Sequence, residues 1–414
     1  MGPLPPRPPF AAYVPHQRLP DATIAERNRH HPDAWSSMPT SPMQRALRLA
    51  LGVQGSTSPN PPVGAVLVKR GRIIGEGATQ PPGGPHAEVM ALRAAGRAAK
   101  GATLHVTLEP CPTTGRTPPC TEALLRAGVA EVHFAAYDPH PEVSGRGAAA
   151  LAQAGIPAHH DRGHEAAAWD LMEAHGKYAR TGRPFVIAKF ASSLDGKIAA
   201  RDGSATWITG PQAREASHRL RASIDVVMVG GTTILADNSQ LTARPGGRAA
   251  ARQPLKVVVD SIAATPVDAN VLRGPGACLI ATGRDARDDD VARLQAAGAE
   301  VVRFPSPGRL VDLHALLEYL AGRGCISILA EGGGTVLGAL FDGGLVDKVM
   351  AFIAPAIIGG NDAPTAVAGR GAANIAGAVR LQDVSSRRAG SDLIVTGYVR
   401  PRREWLGVAA EPEA

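Results

Sequence analysis

One histidine, two cysteines and a glutamate fall close together in His86-Ala87-Glu88, Thr107-Leu108-Glu109-Pro110-Cys111 and Pro118-Pro119-Cys120. Zinc in a hydrolytic site takes three N or S ligands and leaves its fourth position to water. The metal brings the pKa of that water towards neutrality, so hydroxide forms at physiological pH. His86, Cys111 and Cys120 are the candidate ligands. Glu88 is the candidate proton shuttle between water and a departing amine, the chemistry of zinc-dependent base deamination. Two residues usually separate the cysteines of such a site; here eight separate Cys111 from Cys120. A purely structural Cys/His site is the competing reading. The order of all four residue types beside Gly- and Pro-rich turns favours the hydrolytic one.

Several elements must hold these residues. Ser41-Pro42 reads as a helix cap with proline in the first turn, and Met43, Ala46, Leu47, Ala50 and Leu51 follow at amphipathic helical spacing. Beyond Ser58-Pro59-Asn60-Pro61-Pro62, residues 63–68 predict a strand that Gly71 turns into a second, 72–77. A Pro/Gly-rich loop, 81–85, delivers His86 and Glu88 to the first turn of a helix running to about Ala99. Residues 102–108 predict a strand with Cys111 just past its end. Cys120 opens a helix over 121–127, whose N-terminal dipole favours a thiolate. Strands at 129–137 and 156–160, with a short helix between, complete a sheet with helices on its faces. A helix over 163–181 stops at Gly182-Arg183-Pro184, the expected domain boundary.

The second half predicts strands at 185–190, 226–230, 255–260, 277–281, 326–330, 349–353 and 392–398, with helices near 211–221, 288–297 and 311–321. That pattern makes a mostly parallel α/β sheet. The expected organisation is a disordered, proline-rich 1–40 with no periodic apolar face, domains over 41–182 and 183–400, and a frayed polar tail, 401–414. Met38 and Met43 are alternative starts to Met1.

At 414 residues, two domains are the natural division. Aromatics are only 4% of the chain, so Ala, Val, Leu and Ile must fill the cores. A net charge of +7 spread without a Lys/Arg block suits a small phosphorylated substrate. With no series of stacking aromatics, it argues against nucleic acid. Cys278 and Cys325 sit in apolar runs and read as buried thiols, which fits a reducing compartment. No stretch approaches eighteen apolar residues, and the N-terminus lacks a signal-peptide core. A cytoplasmic protein without a membrane partner is the expectation.

Two glycine-rich turns follow apolar strands, Val229-Gly230-Gly231-Thr232-Thr233 and Glu331-Gly332-Gly333-Gly334-Thr335. Beyond the C-terminal ends of α/β strands, glycine lets backbone approach a phosphate and a helix N-terminus receives it. Either turn alone is more often plain loop; together they favour a nucleotide cofactor. Neither is G-x-G-x-x-G, which disfavours an ordinary Rossmann domain.

From about residue 43 to 400 the chain resembles the bifunctional pyrimidine deaminase/reductase family of riboflavin biosynthesis. The matching stretches are Pro59-Asn60-Pro61, Val63-Gly64, His86-Ala87-Glu88, Leu108-Glu109-Pro110-Cys111, Gly115-Arg116-Thr117-Pro118-Pro119-Cys120, Asp138-Pro139, Ser193-Leu194-Asp195-Gly196-Lys197, Trp207-Ile208-Thr209, Leu235-Ala236-Asp237 and Glu331-Gly332-Gly333. The long cysteine spacing with Thr-Pro-Pro-Cys is specific to this group among zinc deaminases. The resemblance implies an N-terminal cytidine-deaminase-like three-layer domain followed by a dihydrofolate-reductase-like α/β domain. It implies hydrolytic loss of the 2-amino group of 2,5-diamino-6-(5-phosphoribosylamino)pyrimidin-4(3H)-one. NADPH-dependent reduction of the ribosyl to a ribityl chain would follow.

By that likeness zinc is held by His86, Cys111 and Cys120, with Glu88 as shuttle. Ala191, Trp207, Thr233, Asp237, Ser261, Gly333, Gly334 and Thr335 correspond to NADP contacts, and Arg221, Leu241, Arg244 and Glu331 to substrate contacts. Asn60 is a candidate for the pyrimidine edge, though Asn between prolines is equally an ordinary turn. Arg221 and Arg244 suit a phosphate, because a guanidinium fork matches its oxygens; Arg221 alone reads equally as a solvated helix face, and Trp207 as core. A homo-oligomer, dimer or tetramer, is expected.

The sequence departs from the family at Thr79 and Thr113, where histidines are usual, at Ala205 for serine, and at Asn238-Ser239 for Asp-Pro. These bear on substrate fit rather than on the ligands. The competing functions are a nucleoside or nucleic-acid base deaminase with an unrelated fused domain, and a non-catalytic ligand-binding protein on a deaminase scaffold.

Overall fold

The computed structural model describes residues 41–402 and 404, except 116, 308 and 309; the stretch 1–40 and most of 401–414 lie outside the described residues. The chain opens on Pro42–Val53 (α1). Its cap is reciprocal: Gln44 N donates to Ser41 Oγ at 3.2 Å, and Ser41 N to Gln44 Oε1 at 3.0 Å. Such a box satisfies two otherwise orphaned helix-end donors.

A five-stranded sheet follows, in the order β2-β1-β3-β4-β5. Gly64–Lys69 (β1) runs antiparallel to Arg72–Ala78 (β2) and to Thr103–Val106 (β3); Glu131–Phe134 (β4) and Ala158–His160 (β5) extend it in parallel. Ala87–Ala95 (α2), Cys120–Ala127 (α3), Arg146–Gln153 (α4) and Glu165–Thr181 (α5) connect and cover it. Close packing explains two of its glycines. A Cβ on Gly64 would lie 1.9 Å from Ala46 O of α1, and one on Gly77 would lie 2.3 Å from Ala87 O of α2. Gly77 pairs with Ala65, next to Gly64. The two helices therefore press on opposite faces, giving the expected three layers.

The second sheet has nine strands, ordered β10-β9-β8-β7-β11-β6-β12-β14-β13. Phe185–Ser193 (β6), Val226–Gly230 (β7), Leu255–Val259 (β8), Cys278–Thr282 (β9), Glu300–Arg303 (β10), Ser327–Glu331 (β11) and Lys348–Ala354 (β12) are parallel. Gln382–Ala389 (β13) and Asp392–Tyr398 (β14) add an antiparallel edge. Helices Pro211–Ala222 (α6), Gly231–Asp237 (α7), Asp288–Ala296 (α8), Leu313–Gly322 (α9) and Gly334–Asp342 (α10) intervene. Strands β7, β9 and β11 are buried along their whole length, as two-sided cover requires.

Four differences from expectation have physical reasons. Strands β10 and β13 were not anticipated: they are edge strands, charged or polar along much of their length. The glycine turns after β7 and β11 continue into α7 and α10, because Gly and Thr open these helices without a polar cap to announce them. The helix after His86 is α-helical to Ala95 and tightens to a 3-10 turn over Gly96–Ala99. The tail is docked at its start, where Arg402 pairs with Asp170 at 2.7 Å and stacks on Tyr398.

Candidate active sites

The loop 79–85 brings the chain to His86 as the N-cap of α2, with Glu88 in the first turn; Cys111 lies beyond β3, and Cys120 is the first residue of α3. Their ligand atoms lie within 4.8 Å of one another. Cys120 Sγ is 3.2 Å and Cys111 Sγ 3.6 Å from His86 Nδ1, so both sulfurs face the same ring nitrogen. The other nitrogen, Nε2, lies 3.2 Å from Thr117 Oγ1. One imidazole nitrogen aimed at the metal and the other fixed by a hydrogen bond is how such ligands are oriented. The N,S,S set, gathered at a helix start, fits zinc with one position left over.

Glu88 is 4% exposed. Burial and the nearby Cys111 push its carboxyl up to about 7. Hydrogen bonds from Cys120, with help from His86, pull the Cys111 thiol below its ordinary value. Glu109 is not part of this cluster. It accepts from Gly145 N and Ala148 N at 2.9 Å and from Asp138 N at 3.2 Å, and so pins the loop after β4 and the start of α4 against the cysteine loop.

Asn60 sits on the loop before β1, which His175 braces through a 3.1 Å contact between Nδ1 and Pro59 O. Thr79, where a histidine was expected, is buried and accepts from Val63 N at 3.3 Å, holding the end of the same loop. Thr113 is exposed. Among the described residues no hydrogen bond joins Asn60 to the cysteine cluster.

In the second unit, Thr233, Ser261 and Gly333 follow the C-terminal ends of β7, β8 and β11, and Glu331 closes β11, the end at which such sheets bind ligands. Arg221 of α6 makes a two-pronged pair with Glu331 at the end of β11, Nε to Oε1 2.8 Å and Nη2 to Oε2 2.6 Å. Its Nη1 donates to Thr242 O at 3.2 Å. Burial works to raise Glu331, but Arg221 and Lys189 outweigh it and hold the carboxyl at about 2. Arg221 is thus largely committed inside the protein. Arg244 is exposed, and among the described residues its side chain donates to Gln240 Oε1 at 2.9 Å. Leu241 buries its side chain and has a φ of 56°, so its backbone is the part turned to a special use.

The two glycine turns meet. A Cβ on Gly333 would fall 2.9 Å from Thr233 Oγ1, and Gly332 and Gly333 have φ of 81° and 74°. Gly333 heads α10 without any side-chain cap, leaving its first N–H groups for an anion. Trp207 is 72% exposed with Arg214 stacked on it at 4.5 Å, so it is not core. This bare backbone cradle fits the pyrophosphate of a nucleotide cofactor. Asp237, at the far end of α7, and Thr335 are exposed, and Ala191, inside β6, Thr233 and Ser261 are half-buried.

Sequence reasoning gave no role to Thr117, although it stands in the Thr-Pro-Pro-Cys stretch, nor to Lys189. A lysine inside the apolar run of β6 was a readable signal. Burial pulls its ammonium below the ordinary lysine value, with Glu331 opposing. The Ser193-Leu194-Asp195-Gly196-Lys197 stretch proves to be a brace. Asp195 accepts from Ser193 Oγ, Ile358 N and Gly359 N, and Lys197 Nζ donates to Ala363 O.

Residues 38–136 match the cytidine and deoxycytidylate deaminase zinc-binding region, and residues 184–395 match the RibD C-terminal domain. A zinc deaminase fused to a second α/β enzyme unit is therefore the class that fold and site define. The riboflavin biosynthesis protein RibD of Synechocystis is 39% identical over 358 residues, 86% of this chain and 95% of that relative. RibD of Escherichia coli is 40% identical over 352 residues, 82% of this chain and 92% of that one. The solved Thermotoga maritima diaminohydroxyphosphoribosylaminopyrimidine deaminase/5-amino-6-(5-phosphoribosylamino)uracil reductase superposes with a TM-score of 0.73 at 33% identity, covering 86% of this chain and 97% of that one. The chain belongs to the RibD family.

Proposed function

We infer that this chain catalyses two steps of riboflavin biosynthesis. It deaminates 2,5-diamino-6-(5-phosphoribosylamino)pyrimidin-4(3H)-one with zinc, then reduces the ribosyl of the product to a ribityl chain with NADPH. The observation that carries the reading is the gathered His86, Cys111 and Cys120 set beside buried Glu88, in a chain that also holds the glycine cradle over Arg221 and Glu331. The match to the RibD C-terminal domain supports the second activity.

Zinc, when bound, supplies a Lewis acid that activates water. His86 Nδ1 and the sulfurs of Cys111 and Cys120 hold it, and Thr117 keeps the imidazole turned. Glu88 takes a proton from the attacking water and returns one to the leaving amine. Its burial keeps bulk water from competing for that proton. Asn60 presents its carboxamide to the pyrimidine edge.

NADPH, when bound, supplies hydride. Gly333, Gly334, Thr335 and Thr233 receive its phosphates, Trp207 offers a ring face, and Ala191, Asp237 and Ser261 make its remaining contacts. Arg244 holds the ribose phosphate, with the Leu241 backbone beside it. Arg221 and Glu331 position the sugar, and Lys189 gives a proton to the oxygen exposed by reduction.

The domains are 41–182 and 183–400, and the assembly is a cytoplasmic homo-oligomer, dimer or tetramer. None of the four cysteines is in a disulfide, and no described helix is long and apolar enough to cross a membrane. The deciding assay follows ammonia release and NADPH oxidation with the diaminopyrimidinone phosphate. Activity on cytidine or single-stranded DNA in place of that substrate would sink the reading.

A further inference from the structure

The peptide between Pro59 and Asn60 is held from both sides. Asn60 N donates to Thr57 O at 2.9 Å, and Pro59 O accepts from His175 Nδ1 at 3.1 Å. Thr57 Oγ1 also donates to Asn60 O, at 3.0 Å. A peptide unit is planar, so fixing its oxygen and its hydrogen fixes where the next Cα points its side chain. Among the described residues the carboxamide of half-buried Asn60 has no hydrogen-bond partner. The backbone is tied down and the amide is left for a ligand.

Thr57 belongs to the loop itself, whereas His175 comes from 116 residues away, in α5. Burial pulls its imidazole below the ordinary histidine value, with Asp138 opposing. The neutral ring carries one N–H, and Pro59 O, which can only accept, claims it at Nδ1. Glu173 stands two residues earlier, about 200° round the helix. On that side Lys348 and Tyr398 each donate to it at 2.7 Å. One face of α5 is thus anchored on the second sheet while the other holds the loop. A cavity of about 60 Å³, lined by Ser58, Asn60, His175, Phe185 and Ile326 among others, gives the loop room to shift once that hold is lost.

We propose that His175 is a positioning residue of the deaminase site: through Pro59 it sets the Asn60 carboxamide against the pyrimidine edge. This rests on the reading of Asn60 as a substrate contact.

The test follows ammonia release by the zinc-loaded full-length chain with the diaminopyrimidinone phosphate. His175→Leu should raise KM at least ~5-fold, the worth of one hydrogen bond. Its kcat, its zinc content and its NADPH oxidation with the already deaminated aminouracil phosphate should change little, and the last two report the fold. His175→Asn, whose amide nitrogen can stand in for Nδ1, should restore KM. Asn60→Ala should raise KM too, and adding His175→Leu to it should change nothing further, because both act at one contact. A normal KM in His175→Leu beside a raised one in Asn60→Ala overturns the inference and spares the reading of Asn60. Effects that add in the double variant, or an Asn variant no better than Leu, do the same. A normal KM in Asn60→Ala takes down both.

Discussion

Tyr398 donates its phenolic hydrogen to Glu173 Oε2 at 2.7 Å, across 225 residues of chain. Lys348 Nζ holds the other carboxylate oxygen at 2.7 Å, and Lys177 pairs with Asp347 at 2.5 Å. Helix α5 is in this way fastened to the second sheet, although it precedes Gly182. Through His175 and Pro59 it also braces the Asn60 loop of the first unit.

The first prediction concerns where the second unit can be cut. A fragment starting at 183 loses α5 and with it Glu173, which accepts from Lys348 and Tyr398, at about 1–3 kcal/mol for the Lys348 ammonium that loses its carboxylate. A fragment starting at 161 keeps these bonds. Scanning calorimetry should show a cooperative transition for the longer fragment and a lower or broadened one for the shorter. Equal melting temperatures would mean that α5 adds nothing to the second sheet.

For the metal, Cys120→Ala should lower zinc below one per chain and abolish ammonia release. Thr117→Val leaves all three ligands but frees His86 Nε2. We expect a 10–100-fold loss in zinc affinity or deaminase activity, the usual cost of removing an outer partner. Wild-type behaviour in a chelator competition would dismiss Thr117 from this role.

Glu88→Gln keeps the shape of the side chain without its proton exchange. Zinc content should hold while ammonia release falls at least ~100-fold. The same protein should still oxidise NADPH when given the already deaminated aminouracil phosphate. Loss of both activities would show that the two sites do not work independently.

Arg244 is exposed and weakly tied, whereas Arg221 is spent on Glu331 and Thr242. Arg244→Ala should therefore raise KM for the aminouracil phosphate by roughly 10–100-fold, the worth of a charged hydrogen bond, with KM for NADPH little changed. An effect on NADPH alone would reassign this arginine to the cofactor.

Glu331 gives a pH prediction. Its folded value of about 2 lies below the ordinary 4.5, so the pair with Arg221 stabilises the fold fully above pH 4.5. That stabilisation, about 3 kcal/mol from the size of the shift, is lost as pH falls from 4.5 towards 2. Glu331→Gln should melt lower than wild type at pH 7, and the gap should close across that acid window. A gap independent of pH would mean that the carboxylate charge is not what matters.

Much of this was readable from local pattern. The bounds of β7 and β14 coincide with the expected strands, because apolar or alternating runs ended by Gly or Asp leave little choice. The cysteine site was legible since its members lie within 35 residues of one another. The Arg221–Glu331 pair spans 110 residues, and nothing local to either says that one will neutralise the other. Glu109 was equally opaque. Its three partners are backbone N–H groups, which leave no mark on sequence. The double attachment of α5 was hidden because Gly182-Arg183-Pro184 ends a helix convincingly, and a helix end says nothing of what the helix is tied to.

The cysteine cluster also has a bearing on how the protein ages. Cys120 N points at Cys111 Sγ from 3.5 Å, and both sulfurs crowd a single imidazole nitrogen. Stripped of zinc in air, these two thiols lie within 4.8 Å of each other, and dissolved oxygen can join them into a disulfide that shuts the ligand set. Shelf life should then depend on chelator and reductant together: EDTA with a reducing agent leaves protein that zinc revives, while EDTA in aerated buffer leaves protein that only thiol reduction followed by zinc brings back.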